Sequence, residues 1–173
     1  MEDTIVALAT PPGEGAIHII RLSGKNAFNI GKACFEPKNK NKWQADTSYT
    51  LHYGWFLDGT KKIDQVLVAR MRGPQSYTGE DVLEIHCHGG MLVARRIIEA
   101  CLHQGARLAE AGEFSKRAFL NGKIDLVQAE AIVDLITART SLAADLALNQ
   151  LTGSLSTKID DVRQDILDIL SYI

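Results

Sequence analysis

Apolar residues come in short β-branched runs, broken by glycine and proline, up to about residue 110. After it they fall at helical spacing and no proline occurs. Period two argues for strands and a period near 3.6 for helices. The chain therefore reads as α+β, an α/β module followed by an all-α helical segment. Residues 4–9 predict a strand ended by Pro11-Pro12-Gly13, and residues 15–22 a second strand closed by Ser23-Gly24. Residues 26–35 predict a short helix, and the polar, lysine-rich stretch 36–46 a loop. Residues 49–57 and 65–70 predict strands joined through Asp58-Gly59, a hairpin-turn signal. The alternation at 81–86 predicts a further strand. A helix over 91–104, stopped by Gly105, and a short strand at 106–109 complete the module.

In the helical part, residues 113–120 predict a helix ended by Asn121-Gly122. Asp125, with Gln128 three residues later, makes a capping-box pair. It opens a helix whose stripe of Ala129, Ile132, Val133, Ile136 and Leu142 runs on until Gly153. Ser154 starts the last helix. Leu155, Ile159, Val162, Ile166, Ile169 and Ile173 alternate steps of four and three, a heptad seam. The seam reaches the last residue without a stop signal. The sequence is accordingly read as a fragment whose final helix wants a partner segment; packing on its own domain is the alternative.

Composition narrows the classes. At 173 residues and 46% hydrophobic content, the chain can bury a core without disulfides or metal. A net charge of −2 gives no global basic footprint for nucleic acid, so RNA contact would need a local patch or a missing region. Cys34, Cys87 and Cys101 show no CxxC spacing and suggest free thiols in a reducing compartment. The N-terminus lacks the basic start of a signal peptide, and no apolar run approaches the roughly 18 residues of a membrane helix. The expectation is a cytoplasmic protein without a membrane. No P-loop, GxSxG or HExxH occurs, so no catalytic nucleophile and no metal site is expected.

The candidate chemistry centres on Gly79-Glu80-Asp81-Val82-Leu83-Glu84-Ile85-His86-Cys87-His88-Gly89-Gly90. Alternation puts Val82, Glu84 and His86 on one strand face and the apolar Leu83, Ile85 and Cys87 on the other, which meets the core. Glu84 can accept two parallel N–H bonds from an amino-heterocycle, or form a salt bridge on an open sheet face. Arg21, on the face of Ile17 and Ile19, can meet a carboxylate or an anionic ligand, or simply reach solvent. His86, Cys87 and His88 invite a zinc reading, but nothing completes a ligand set, and a structural role is preferred. Gly89-Gly90 before Met91 can form an anion-binding turn or a plain one. The Thr10–Gly15 Pro/Gly turn reads as structural. Lys116, Arg117 and Lys123 suit the C-terminal end of a helix, a structural role preferred over an anion patch.

Three segments go further. They are Asp3-Thr4-Ile5-Val6-Ala7 with Thr10-Pro11-Pro12-Gly13 and Ile20-Arg21-Leu22-Ser23-Gly24; Ser76-Tyr77-Thr78-Gly79-Glu80-Asp81 running to His88-Gly89-Gly90; and Gly112-Glu113-Phe114 through Lys116-Arg117-Ala118-Phe119-Leu120-Asn121-Gly122-Lys123 to Gln128-Ala129-Glu130-Ala131. In this order they closely resemble the N-terminal region of the bacterial tRNA-modification GTPase family called MnmE or TrmE. The resemblance covers nearly the whole chain.

It implies a tetrahydrofolate-binding and dimerisation domain at 1–120, similar in fold to aminomethyltransferases, then the first helices of a helical domain at 121–173. It implies a reduced folate, 5-formyl- or 5,10-methylenetetrahydrofolate, held by Arg21, Glu84 and Lys123, with Glu84 on the amino-pyrimidine side of the pterin. It implies a homodimer through the N-terminal domain, a flavoprotein partner of the GidA/MnmG family, and tRNA modified at C5 of a wobble uridine. GTP, magnesium and potassium belong to a GTPase domain that this sequence lacks. Ala111 stands where the family usually has proline. The alternatives are a stand-alone folate-dependent one-carbon transferase and a purely structural dimerisation module.

Overall fold

A computed structural model describes residues 3–44 and 48–171. It divides into two compact units, Met1–Arg117 and Ala118–Ile173.

The first unit is built on one seven-stranded sheet. Its strands are β1 (Ile5–Leu8), β2 (Ile17–Ser23), β3 (Phe35–Pro37), β4 (Thr50–Asp58), β5 (Lys61–Met71), β6 (Val82–His88) and β7 (Arg107–Leu108). Their order across the sheet is β3-β4-β5-β6-β2-β1-β7. Every pairing is antiparallel except β1 with β7. Two helices, α1 (Ala27–Cys34) and α3 (Met91–His103), pack on one face of the sheet. The side chains beneath them, including Ile20, Leu22, Val66, Val68, Leu83, Ile85 and Cys87, form the core. Alternation thus puts Leu83, Ile85 and Cys87 inside, as the sequence predicts. Gly31 lets α1 lie close on β6, because a Cβ there would run into Leu83. Neither of these two helices lies on the opposite sheet face. On it Ile17, Leu51, Tyr53 and Leu67 are exposed.

The Asp58-Gly59 hairpin forms as predicted, with Gly59 at φ 58°. The stretch predicted as a loop at 36–46 is not one. Phe35–Pro37 forms β3 against β4. Lys40–Gln44 forms a short helix, α2, begun by Asn39, whose side chain accepts from the Lys42 N–H at 3.1 Å. The driving term is Trp43, which is buried and meets the Phe35 ring edge-on at 5.0 Å. Its burial offsets the polar composition that suggested a loop. Asp46 lies outside the described residues.

Helix α4 (Glu113–Leu120) has the predicted bounds and runs across the division between the units. The second unit continues with α5 (Leu126–Thr137), α6 (Ser141–Leu151) and α7 (Ser154–Leu170). The capping box forms: the Gln128 N–H donates to Asp125 at 2.8 Å, and the Asp125 N–H donates to Gln128 at 2.9 Å. The single helix predicted from Asp125 to Gly153 is instead two. Thr140 adopts an extended backbone and its hydroxyl accepts from the Ala143 N–H, capping α6. Leu142 therefore belongs to a different helix from Ile136. The Gln128 amide donates to the Leu151 carbonyl at 2.9 Å, tying the start of α5 to the end of α6. Ile159, Val162, Ile166 and Ile169 of the predicted seam lie on α7, each more than half exposed. The Leu155 side chain and Ile173 lie outside the described residues. Among the described residues no helix is long and apolar enough to cross a membrane.

Candidate functional site

Strands β2 and β6 pair in a register that sets Arg21 opposite Glu84 and Ile19 opposite His86. Both site residues lie on the sheet face opposite α1 and α3. Arg21 Nε donates to Glu84 Oε1 at 2.8 Å and Nη2 reaches the same oxygen at 2.6 Å. One carboxylate oxygen is thereby taken. The other, Oε2, stands 3.9 Å from His86 Nε2. That nitrogen is buried and has no hydrogen-bond partner among the described residues. A buried ring nitrogen without a partner is costly unless a ligand completes it.

Two rings flank the guanidinium. Arg21 Cζ lies 4.9 Å from the Tyr77 ring centroid and 5.5 Å from that of Phe114, within cation–π reach. The Tyr77 hydroxyl meets Ser115 Oγ at 2.9 Å, joining the loop before β6 to α4. The Arg21 guanidinium is thus held among the Glu84 carboxylate and two aromatic rings, those of Tyr77 and Phe114.

A buried ionic network holds this loop. Arg117 has no exposed side-chain surface. Its Nη1 donates to the Asp3 carbonyl at 2.9 Å and to Glu80 at 3.2 Å, and Nη2 to Asp3 Oδ1 at 2.8 Å and Glu113 Oε1 at 3.0 Å. Glu80 in turn accepts from Ser23 Oγ at 2.7 Å. Arg107 donates to both oxygens of Glu113 at 3.0 and 2.7 Å. The Arg107 hydrogen bonds, opposed by burial, and those from the Glu110 N–H and Arg117 hold Glu113 at a pKa of about 2. Arg117 is thus consumed by structure, the reading the sequence preferred for it.

Lys123, the third residue carried over from the family, lies in the second unit. It is exposed, and its N–H donates to the Ala118 carbonyl at 2.8 Å. Cys87 turns into the core, opposite to His86 and His88, so the three cannot hold one ion together. His88 is instead fastened to β5: its Nδ1 meets Asp64 Oδ1 at 2.7 Å and its N–H donates to Oδ2 at 2.8 Å. Gly89 follows, where a Cβ would strike the Gly15 carbonyl. Gly89 therefore serves a close backbone approach, whereas a Cβ at Gly90 would make only ordinary contact with Val93. Sequence reasoning singled out Arg21 and Glu84. It gave no function to Tyr77, Phe114 or Ser115, which carry no periodic signal.

The first unit and the turn after it match the family model described as GTP-binding protein TrmE N-terminus, over residues 4–123. The rest matches the MnmE helical domain, over residues 126–173. The chain is 56% identical over 173 residues to a tRNA modification GTPase MnmE from Desulfitobacterium hafniense (strain Y51). It is 53% identical over 175 residues to one from Carboxydothermus hydrogenoformans and 50% identical over 173 residues to one from Clostridioides difficile (strain 630). Each match covers 100% of this chain and 38% of the relative's own length. The chain belongs to the MnmE (TrmE) family of tRNA-modification GTPases and corresponds to its N-terminal region.

Proposed function

We propose that residues 1–120 bind a reduced folate as one-carbon donor and dimerise, and that residues 121–173 begin the helical domain of a tRNA-modifying GTPase. The observation that carries the folate reading is the half-satisfied Glu84. Arg21 occupies Oε1, while Oε2 and the unpartnered His86 Nε2 stand side by side. The edge of a pterin offers paired N–H donors and a ring nitrogen that such a pair would meet. Tyr77 and Phe114 supply flat surface for the ring, and Lys123 a cation for the folate's carboxylates. When bound, folate supplies the one-carbon unit; Arg21 fixes Glu84 in orientation.

Dimerisation is supported by the sheet face opposite α1 and α3, where Ile17, Leu51 and Leu67 are 61%, 65% and 42% exposed. An exposed apolar face of this kind suits a second copy. In the same reading the full-length protein works in the cytoplasm with a GidA/MnmG-type flavoprotein. It modifies C5 of a wobble uridine, with GTP, magnesium and potassium bound in a separate GTPase domain.

Calorimetric titration with 5-formyltetrahydrofolate tests the folate assignment, beside Arg21→Ala, Glu84→Ala and Lys123→Ala. Saturable binding lost in the first two variants supports it. A folded Glu84→Ala variant that binds as the parent does sinks the role of Glu84. Turnover of methylenetetrahydrofolate by this chain alone would favour a self-sufficient transferase.

A further inference from the structure

At the start of α4, one side chain after another is fastened to a different segment of the first unit. Glu113 takes Arg107 of β7. The Phe114 ring lies over Arg21 of β2. Ser115 Oγ meets the Tyr77 hydroxyl of the loop before β6. Arg117 reaches Asp3 ahead of β1 and Glu80 of that same loop. Beyond Arg117 the helix passes the division between the units, and Phe119 and Leu120 are exposed. One continuous helix is thus gripped at its start and open at its end.

Two of these contacts lead to the site. Arg21 holds Glu84 Oε1 and stands between the Tyr77 and Phe114 rings, and Tyr77 is joined to Ser115. A group that engages Glu84 Oε2 therefore has Arg21 as its next neighbour and α4 as the one after. Glu113 and Arg117 account for the anchoring of the helix. Phe114 and Ser115 add little to that anchoring, and both are turned toward the site. Helical order is cooperative, so fixing one turn favours the next. Leu120 lies about 9 Å beyond Phe114 along the axis.

We infer that α4 passes occupancy of the Glu84 site into the helical unit. A ligand on Glu84 fixes Arg21 and, through it, the two rings. The order gained at Phe114 and Ser115 runs along the helix to residues 118–123, where the second unit begins. The linkage is one of order rather than displacement: amides beyond Arg117 open less often when the site is filled. Its size has a ceiling. Where opening of α4 releases the ligand, a concentration of about 100 times Kd slows that opening about a hundredfold. The inference rests on the folate reading for its ligand, and on the contacts of α4 for its route.

The test is amide hydrogen exchange of the whole chain, with and without 5-formyltetrahydrofolate at about 100 times Kd. Amides of residues 118–120 should slow about tenfold or more, within the hundredfold ceiling. Phe114→Leu with Ser115→Ala, held at the same multiple of its own Kd, should lose that slowing. Lys123→Ala, matched in the same way, should keep it, because the route is the helix and not a direct contact of Lys123 with the ligand. Saturable binding that leaves 118–120 within about twofold of the free chain overturns the proposal. So does slowing that disappears in Lys123→Ala or survives in the double variant. A ligand-free arm keeps the two readings apart. Arg21→Ala removes the cation between the rings and should speed exchange at 118–120 about threefold relative to the β4–β5 ribbon. If the parent binds no folate, the folate reading fails and this arm still decides the route: unchanged exchange in Arg21→Ala overturns it.

Discussion

Arg21 and Glu84 are 63 positions apart in the chain and stand directly opposite each other on β2 and β6, joined through a single carboxylate oxygen. Their side chains are 23% and 19% exposed, so water still screens the pair. Such a cross-strand pair contributes about 0.5–1 kcal/mol. Glu84→Gln should therefore move the urea midpoint only slightly while weakening 5-formyltetrahydrofolate binding at least tenfold, about 1.4 kcal/mol. Equilibrium unfolding and calorimetry on one preparation separate the two effects. A large loss of stability with unchanged affinity would make the pair structural only.

Arg117 behaves differently, because its guanidinium is wholly enclosed by Asp3, Glu80 and Glu113. Arg117→Met would leave the largely buried Glu80 without its cation, while Glu113 and Asp3 keep Arg107. Breaking a buried pair from one side costs about 3–5 kcal/mol. Urea denaturation followed by circular dichroism should show a loss of that order. The loop carrying Tyr77 should become sensitive to protease, since Arg117 holds it through Glu80.

Glu113 sets an acid limit. Its carboxyl titrates near 2 in the fold, against 4.5 ordinarily, chiefly through the Arg107 hydrogen bonds. A depressed folded-state pKa gives stability that is full above the ordinary value and is lost as pH falls through the folded one. Stability should thus decline from about pH 4.5 toward 2. Glu113→Gln should be less stable at neutral pH and show a flatter profile over that window. Thermal melts across the range read both.

The three thiols are predicted to be inert in the folded state. Burial, with Asp58 near Cys34 and Asp64 near Cys87, pushes each of those two up to about 11, and burial and the neighbouring Cys34 raise Cys101 too. The thiolate is the reactive form, and near pH 8 a group with a pKa of 11 is about one thousandth ionised. A disulfide reagent should label the native chain more than a hundredfold slower than free cysteine, and all three sites at once in denaturant.

Most of the sheet was legible because period-two runs and glycine punctuation are local signals. Glu84 stood out as a carboxylate on such a run, and Arg21 as a charge ending another. Their meeting was not legible, since it depends on the β2/β6 register, set by packing between distant segments. Trp43 was hidden for the same reason: its burial against Phe35 and His52 outweighs a polar neighbourhood that reads as loop. The break at Thr140 was missed because apolar spacing continues across it, and one capping threonine is a weak local signal. The buried Arg117 sits in a helix end where a basic residue looks ordinary.

The sheet order has a consequence for how the chain comes off the ribosome. β1 with β2 and β4 with β5 are adjacent in sequence and can close as two separate ribbons. They become one sheet only when β6 slots between β5 and β2. Until residue 88 has emerged, both ribbons present open edges of unpaired backbone, the sticky state of nascent β structure. The central strand, which brings Glu84 to Arg21, is also the clasp of the sheet. A nascent chain stalled short of it is therefore a substrate for chaperones, with its site and its sheet incomplete together.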